Sequence, residues 1–172
     1  VEAATGKYIM FSDADDTIEK DACELLYKEI ERKPVDILHF NINIINECSA
    51  SENDINLLRD FVKPYNGKLY GKNVFLGCFN KSKYKWTLYN KIFKADVCKK
   101  AIHSQKDMHI LVAEDALTFF YIAYYSNSYR GYLGKGLYNY CYGRGGSGGK
   151  LINLELLKRQ CSASHAVRAM ER

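Results

Sequence analysis

The sequence predicts an α/β fold, a mixed sheet flanked by helices, on two observations. Short apolar runs closed by turn residues alternate with stretches whose apolar residues recur at helical spacing. In addition, the early apolar run Tyr8-Ile9-Met10-Phe11 leads through Ser12 into Asp13-Ala14-Asp15-Asp16. Such a run reads as a buried strand, and acids at the carboxyl end of a strand lie where open α/β sheets bind ligands. A chain of 172 residues that is 47% hydrophobic, with 14 Tyr and 8 Phe, can bury a core of about one domain.

Taken in order, Val1 to Gly6 reads as the tail of a helix closed by a glycine cap. With no helix body before it, the chain is expected to be part of something larger. Lys20 to Arg32 is a helix, with Cys23, Leu26 and Ile30 on one face and Pro34 as its stop. Val35 to Ile45 is apolar and β-branched and reads as one strand; Asn46 to Asn56 reads as a loop. A helix over Lys72 to Phe79, an extended segment over Trp86 to Phe93 and a short helix over Lys94 to Ala101 follow. Ala113 to Tyr125 is helical, with Leu117, Phe120, Tyr121 and Tyr124 at i, i+3, i+4 and i+7. Tyr129 to Tyr142 reads as a hairpin, Gly143 to Gly149 as a glycine-rich loop and Leu151 to Met170 as a helix. The division expected is a domain over 1–150 and a helical tail over 151–172.

Composition narrows the function. A net charge of +5 is too mild to imply nucleic acid. The six cysteines (Cys23, Cys48, Cys78, Cys98, Cys141 and Cys161) form no C-x-x-C pair, so zinc-finger chemistry is not expected. Reduced thiols and the lack of a leader or bilayer-length apolar run favour a cytoplasmic protein, compatible with a peripheral contact at the inner membrane face.

Four stretches could carry chemistry. Asp13 and Asp15 are two apart and would share a face of a strand. Carboxylates crowded this way repel unless a cation joins them, which suggests a hard divalent metal, Mg²⁺ or Mn²⁺. The competing reading is a solvated turn capping the next helix. Glu114-Asp115 opens an aromatic helix; the pair could complement the helix dipole, or supply the general base that metal-assisted chemistry needs. Lys81 to Lys100 mixes lysines with aromatics and suits an anionic or stacking ligand, or a solvated basic face. The glycine-rich loop lacks P-loop spacing and reads as a linker or lid from which Arg144 could reach a diphosphate. His39, His103, His109 and His165 are dispersed and read as core or surface histidines.

Together these stretches resemble the family-2 glycosyltransferases with a GT-A fold. The resemblance rests on Ala3-Ala4-Thr5-Gly6-Lys7-Tyr8-Ile9-Met10-Phe11-Ser12-Asp13-Ala14-Asp15-Asp16, on Leu88 to Lys94, on Glu114-Asp115, and on Leu137 to Tyr140 running to Gly146-Ser147. It implies a truncated GT-A-like sheet that lacks the amino-terminal nucleotide-binding half, and an isolated chain that is inactive. Asp13 and Asp15 fall on the family's DXD motif, which holds Mg²⁺ or Mn²⁺ against a nucleoside-diphosphate sugar, with Asp16 beside them. Asp115 falls on the catalytic base, with Glu114 adjacent. Trp86, Asn90 and Lys91 are expected to help shape the site for a glycan or lipid-linked acceptor. The implied activity is an inverting, metal-dependent sugar transfer in cell-surface polysaccharide synthesis. A sheet without its nucleotide-binding strands would expose an edge and self-associate, so a homo-oligomer is expected.

Two alternatives stand beside this. Asp13-Ala14-Asp15-Asp16-Thr17 also satisfies D-x-D-x-T, the nucleophile motif of haloacid-dehalogenase-like phosphatases, with Asp13 as nucleophile. A non-catalytic module binding through the basic, aromatic stretch is the other.

Overall fold

The computed structural model describes residues 1–105, 113–144 and 163–170. It is the mixed α/β fold that the sequence predicts. A five-stranded sheet runs in the order β1-β6-β3-β7-β5, and a three-stranded sheet in the order β2-β8-β4. The strands are β1 (Tyr8–Met10), β2 (Thr17–Ile18), β3 (Ile37–Phe40), β4 (Ile42–Asn46), β5 (Lys68–Tyr70), β6 (Lys91–Lys94), β7 (Ser128–Tyr132) and β8 (Tyr138–Tyr142). The helices are α1 (Ala22–Arg32), α2 (Glu52–Val62), α3 (Lys72–Phe79), α4 (Ala95–Ser104), α5 (Glu114–Tyr125) and α6 (Ala163–Met170). β3 pairs parallel with β7 and β4 parallel with β8; the other ladders are antiparallel.

The central strand β3 is buried at every residue, as a strand covered on both faces must be. Its side chains alternate between two cores. Ile37 joins Phe93, Phe119, Ile122, Val97 and Cys98 beneath α3, α4 and α5. Leu38 and Phe40 join Leu26 and Ile30 of α1 with Leu137 and Tyr138 on the opposite face. β1 follows the same rule. Ile9, opposite Phe93 of β6, belongs to the first core, while Tyr8 and Met10 lean on the second. Among the described residues α6 packs on α5 through Ala166 and Leu117, and no helix is long and apolar enough to cross a membrane.

Four sequence expectations change. Val1 to Gly6 is a turn, with the Ala4 amide donating to the Val1 carbonyl at 3.0 Å, and holds no helix. Val35 to Ile45 is two strands: at Asn41 the chain leaves the large sheet and enters the small one. The expected loop contains the start of α2, capped by a reciprocal box in which Ser51 Oγ accepts from the Asp54 amide and Asp54 accepts from the Ser51 amide. β7 and β8 do not form a hairpin, because each pairs in a different sheet. Gly145 to Ser162, which includes most of the glycine-rich loop and the start of the tail, lies outside the described residues, as does His109.

Candidate active site

β1 ends at Met10 and delivers the acid loop from its carboxyl end. That loop is fastened to β8 by one tyrosine. The Tyr138 hydroxyl accepts from the Asp13 amide at 3.0 Å and donates to Asp16 Oδ2 at 2.8 Å. The other Asp16 oxygen accepts from the Cys141 amide at 2.8 Å. Both Asp16 oxygens are therefore engaged in holding the loop, so Asp16 braces the site. The carboxylates of Asp13 and Asp15, by contrast, have no hydrogen-bond or ion-pair partner among the described residues. Burial raises the Asp13 pKa above the ordinary carboxylate range, and the charges of Asp16, Asp15 and Glu114 add to it.

Glu114 belongs to an element much later in the chain than the acid loop. α5 begins there, and its N-cap Ala113 sits in the left-handed region with φ of 69° and no side-chain cap. A non-glycine residue in that region costs about 1–2 kcal/mol. Strained backbone of this kind concentrates at functional sites. It stands immediately before Glu114, which is exposed, and Asp115, which is half-buried. Burial pushes the Asp115 carboxyl up to about 6, the negative charges of Asp13 and Glu114 push it further, and Lys91 pulls it back. The fold thus makes one electrostatic unit of the two acid groups that the sequence singled out separately.

Arg144 follows β8. It is bidentate to Glu47, with Nη2 donating to Oε1 at 2.7 Å and Nε to the other oxygen, and its Nη1 lies 3.5 Å from the Asp15 carbonyl. The Glu47 pair is solvent-exposed and so is worth at most about 1 kcal/mol. A phosphate could compete for this arginine.

Of the residues expected at an acceptor surface, Trp86 is 37% exposed and packs edge-on against Phe61 at 5.8 Å. Asn90 and Lys91 are fully buried and do not line a surface. Asn90 donates to the Val62 carbonyl at 2.8 Å and bonds His39 at 2.9 Å. His39 in turn meets the Tyr129 hydroxyl at 2.9 Å. These groups are interior polar fasteners between α2, β3, β7 and the segment before β6. Sequence reading missed Tyr138, whose signal was the alternation Tyr138, Tyr140, Tyr142 that puts three rings on one face of a strand. Tyr138 and Tyr140 stack on Tyr89 at 5.2 and 5.3 Å.

Comparison with known proteins bears on the family and the fold. The profile of glycosyl transferase family 2 matches residues 1–98, which is more than half of the 172 residues, and the chain belongs to that family. The matched span contains the Asp13–Thr17 run, which sets aside the phosphatase reading. Among solved structures the chain is similar to S. aureus TarS 1–349 in complex with UDP-GlcNAc, with TM-score 0.61 at 14% identity over 98% of this chain and 44% of that one. It is similar to the same protein in complex with UDP, with TM-score 0.61 at 14% identity over 98% of this chain and 41% of that one. S. aureus TarS itself gives TM-score 0.55 at 16% identity over 81% of this chain and 22% of that one. At these identities the likeness is one of fold, and the chain spans less than half the length of each structure. No curated protein sequence matches.

Proposed function

We propose that this chain carries the catalytic-base and acceptor side of an inverting glycosyltransferase that uses a nucleoside-diphosphate sugar. The observation that carries the reading is the meeting of Asp115, raised to about 6, with the Asp13 charge in a chain of this family. A base poised near neutral pH suits the deprotonation of a hydroxyl. The TarS structures with UDP-GlcNAc and UDP support a nucleotide-sugar donor for the fold.

In this mechanism Asp115 accepts the proton of the acceptor hydroxyl as its oxygen attacks the anomeric carbon, and the nucleoside diphosphate leaves from the opposite face. One direct displacement inverts the sugar carbon. Glu114, exposed beside it, keeps the local potential negative and is the second candidate base. Asp13 and Asp15 fit a hard divalent cation, Mg²⁺ or Mn²⁺, since both offer unpaired carboxylate oxygens on a loop held rigid by Asp16 and Tyr138. Among the described residues no three His, Cys, Asp or Glu side chains form a metal cage, so Asp13 and Asp15 would be the residues of this chain that hold the cation. Such a cation would supply charge stabilisation to the leaving diphosphate. Arg144 would exchange Glu47 for a phosphate, and Trp86 offers an exposed ring to an acceptor sugar.

The acceptor in this reading is a glycan or lipid-linked sugar of cell-surface polysaccharide synthesis, handled at the cytoplasmic face of the membrane. The free state of Cys23, Cys48, Cys78, Cys98 and Cys141 agrees with a reducing compartment. In this reading the unit spans residues 1–150 and is followed by a tail, of which α6 (Ala163–Met170) is described. β1 has an unpaired outer edge among the described residues, which supports self-association of the isolated chain.

The test is release of nucleoside diphosphate by the complete gene product from a panel of sugar nucleotides, with and without Mn²⁺. Release that depends on Mn²⁺ and weakens in Asp15→Ala is expected. Release indifferent to chelator and to Asp15→Ala would remove the metal from the account.

A further inference from the structure

Lys91 is fully buried, an unusual place for lysine unless its charge is matched. It lies on β6 between β1 and β3. Its Nζ donates to the Thr87 carbonyl, to Thr87 Oγ1 at 2.8 Å and to Asn90 Oδ1 at 3.0 Å. The Thr87 hydroxyl spends its own hydrogen on Asn90 Oδ1 at 2.7 Å, so it too is an acceptor toward Lys91. Three acceptors match the three N–H groups of an ammonium, whereas a neutral amine would turn a lone pair on one of them. The same nitrogen lies 5.1 Å from the centre of the Phe119 ring. Phe119 is four residues after Asp115, so both occupy one face of α5.

The groups that face Lys91 are few. Cys78 comes from α3, with its thiol pushed up to about 12 by burial; His39 comes from β3 and is held neutral by burial; Asp115 comes from α5. Burial draws Lys91 down to about 7, against which Cys78 and Asp115 act. Asp115 itself also faces Glu114 and Asp13. A buried ion contributes little to stability compared with an apolar side chain of the same size. Its contact with Phe119, on the helix that the candidate base opens, points to another use.

We propose that Lys91 is a positioning residue for sugar transfer, its buried ammonium tying the Thr87–Asn90 turn to the first turns of α5 so that Asp115 is held in place. This rests on the reading of Asp115 as the base. Lys91→Met keeps the length and removes the charge. In the complete gene product it should lower the thermal midpoint, since three buried acceptors lose their donor, and leave the donor KM near that of the wild type while kcat falls roughly 100-fold, the scale of a misplaced catalytic group. Residues that act as a unit are not additive, so Lys91→Met combined with Asp115→Asn should be no slower than Asp115→Asn alone. Unchanged kcat in folded Lys91→Met overturns the proposal. So does a double variant slower than Asp115→Asn by the full Lys91→Met factor, or a donor KM that worsens along with kcat, since each marks a merely structural lysine. If Lys91→Met does not fold, Thr87→Val removes one acceptor and keeps the charge; kcat down about tenfold at constant donor KM supports the proposal, and unchanged kcat overturns it. Near-normal transfer by Asp115→Asn defeats the base assignment itself, whereas lost transfer in Asp115→Asn with normal transfer in Lys91→Met defeats only the role of Lys91.

Discussion

Removing a single oxygen atom from Tyr138 should loosen the whole acid loop. Tyr138→Phe keeps the ring, which is buried and stacked on Tyr89 at 5.2 Å, so the packing stays. Two hydrogen bonds are lost: the donation to the Asp16 carboxylate at 2.8 Å and the acceptance from the Asp13 amide at 3.0 Å. A bond to a charged group is worth about 1.5–3 kcal/mol and a neutral one about 0.5–1.5 kcal/mol. Both lie in part-buried surroundings, so the expected cost is about 3 kcal/mol. For a chain of this size that lowers the thermal midpoint by roughly 6–12 °C. Asp16 keeps its bond from the Cys141 amide, so the loop should shift without detaching from β8. The assay is urea unfolding followed by the circular dichroism of the helices, with donor affinity measured on the same preparation. Stability should fall, and donor affinity with it, because Asp13 and Asp15 lose their platform. A stability loss below about 0.5 kcal/mol would refute the reasoning, since it would mean that the loop is held by something other than Tyr138.

The other predictions concern the neighbouring groups. With the Asp115 carboxyl at about 6, the base is ready above that pH, and Lys91, at about 7, keeps its proton below that one, so transfer measured from pH 7 down to 5 should decline through about 6; a rate flat to pH 5 would separate Asp115 from the chemistry. His39 is held below its ordinary 6.5 by burial, so the unfolded chain binds the extra proton first. Its contribution to stability is full above pH 6.5 and falls by up to about 1.4 kcal/mol per pH unit below it. Urea midpoints of the wild type should therefore drop more steeply between pH 7 and 5 than those of His39→Asn, and parallel slopes would contradict this. Ala113→Gly relieves a φ of 69°, so it should raise stability by about 1 kcal/mol in the same unfolding assay; a loss would show that the Ala113 methyl packs usefully. Light scattering of the isolated chain should show self-association through the open side of β1, and a monomer at high concentration would argue against it.

Much of the candidate site was legible because its chemistry is dense in the sequence. Three acids after an apolar strand and two acids opening an aromatic helix are local patterns, and each survives folding as a strand end and a helix start. What was illegible depends on burial. Lysine and asparagine are ordinarily surface residues. Nothing local in Asn90-Lys91 says that Thr87, Val62 and Phe119 will close around them. The split of Val35 to Ile45 was hidden for a similar reason. The run is rich in apolar residues throughout, and its pairing, with β6 and β7 on one side of Asn41 and with β8 on the other, divides it. α2 was different: its Ser51-x-x-Asp54 box was readable, but the surrounding asparagines and acids masked the helical period.

The central claim is that Asp115 takes the proton while Asp13 and Asp15 hold the donor. Asp115→Asn in the complete gene product, compared with Asp15→Ala in parallel assays of donor affinity and single-turnover transfer, tests it most directly. The account predicts transfer down roughly 100-fold or more with donor affinity unchanged in Asp115→Asn, and both weakened together in Asp15→Ala. Near-normal transfer by Asp115→Asn, or equal losses of donor affinity in the two variants, would contradict it and leave Asp115 as a helix-terminal acid.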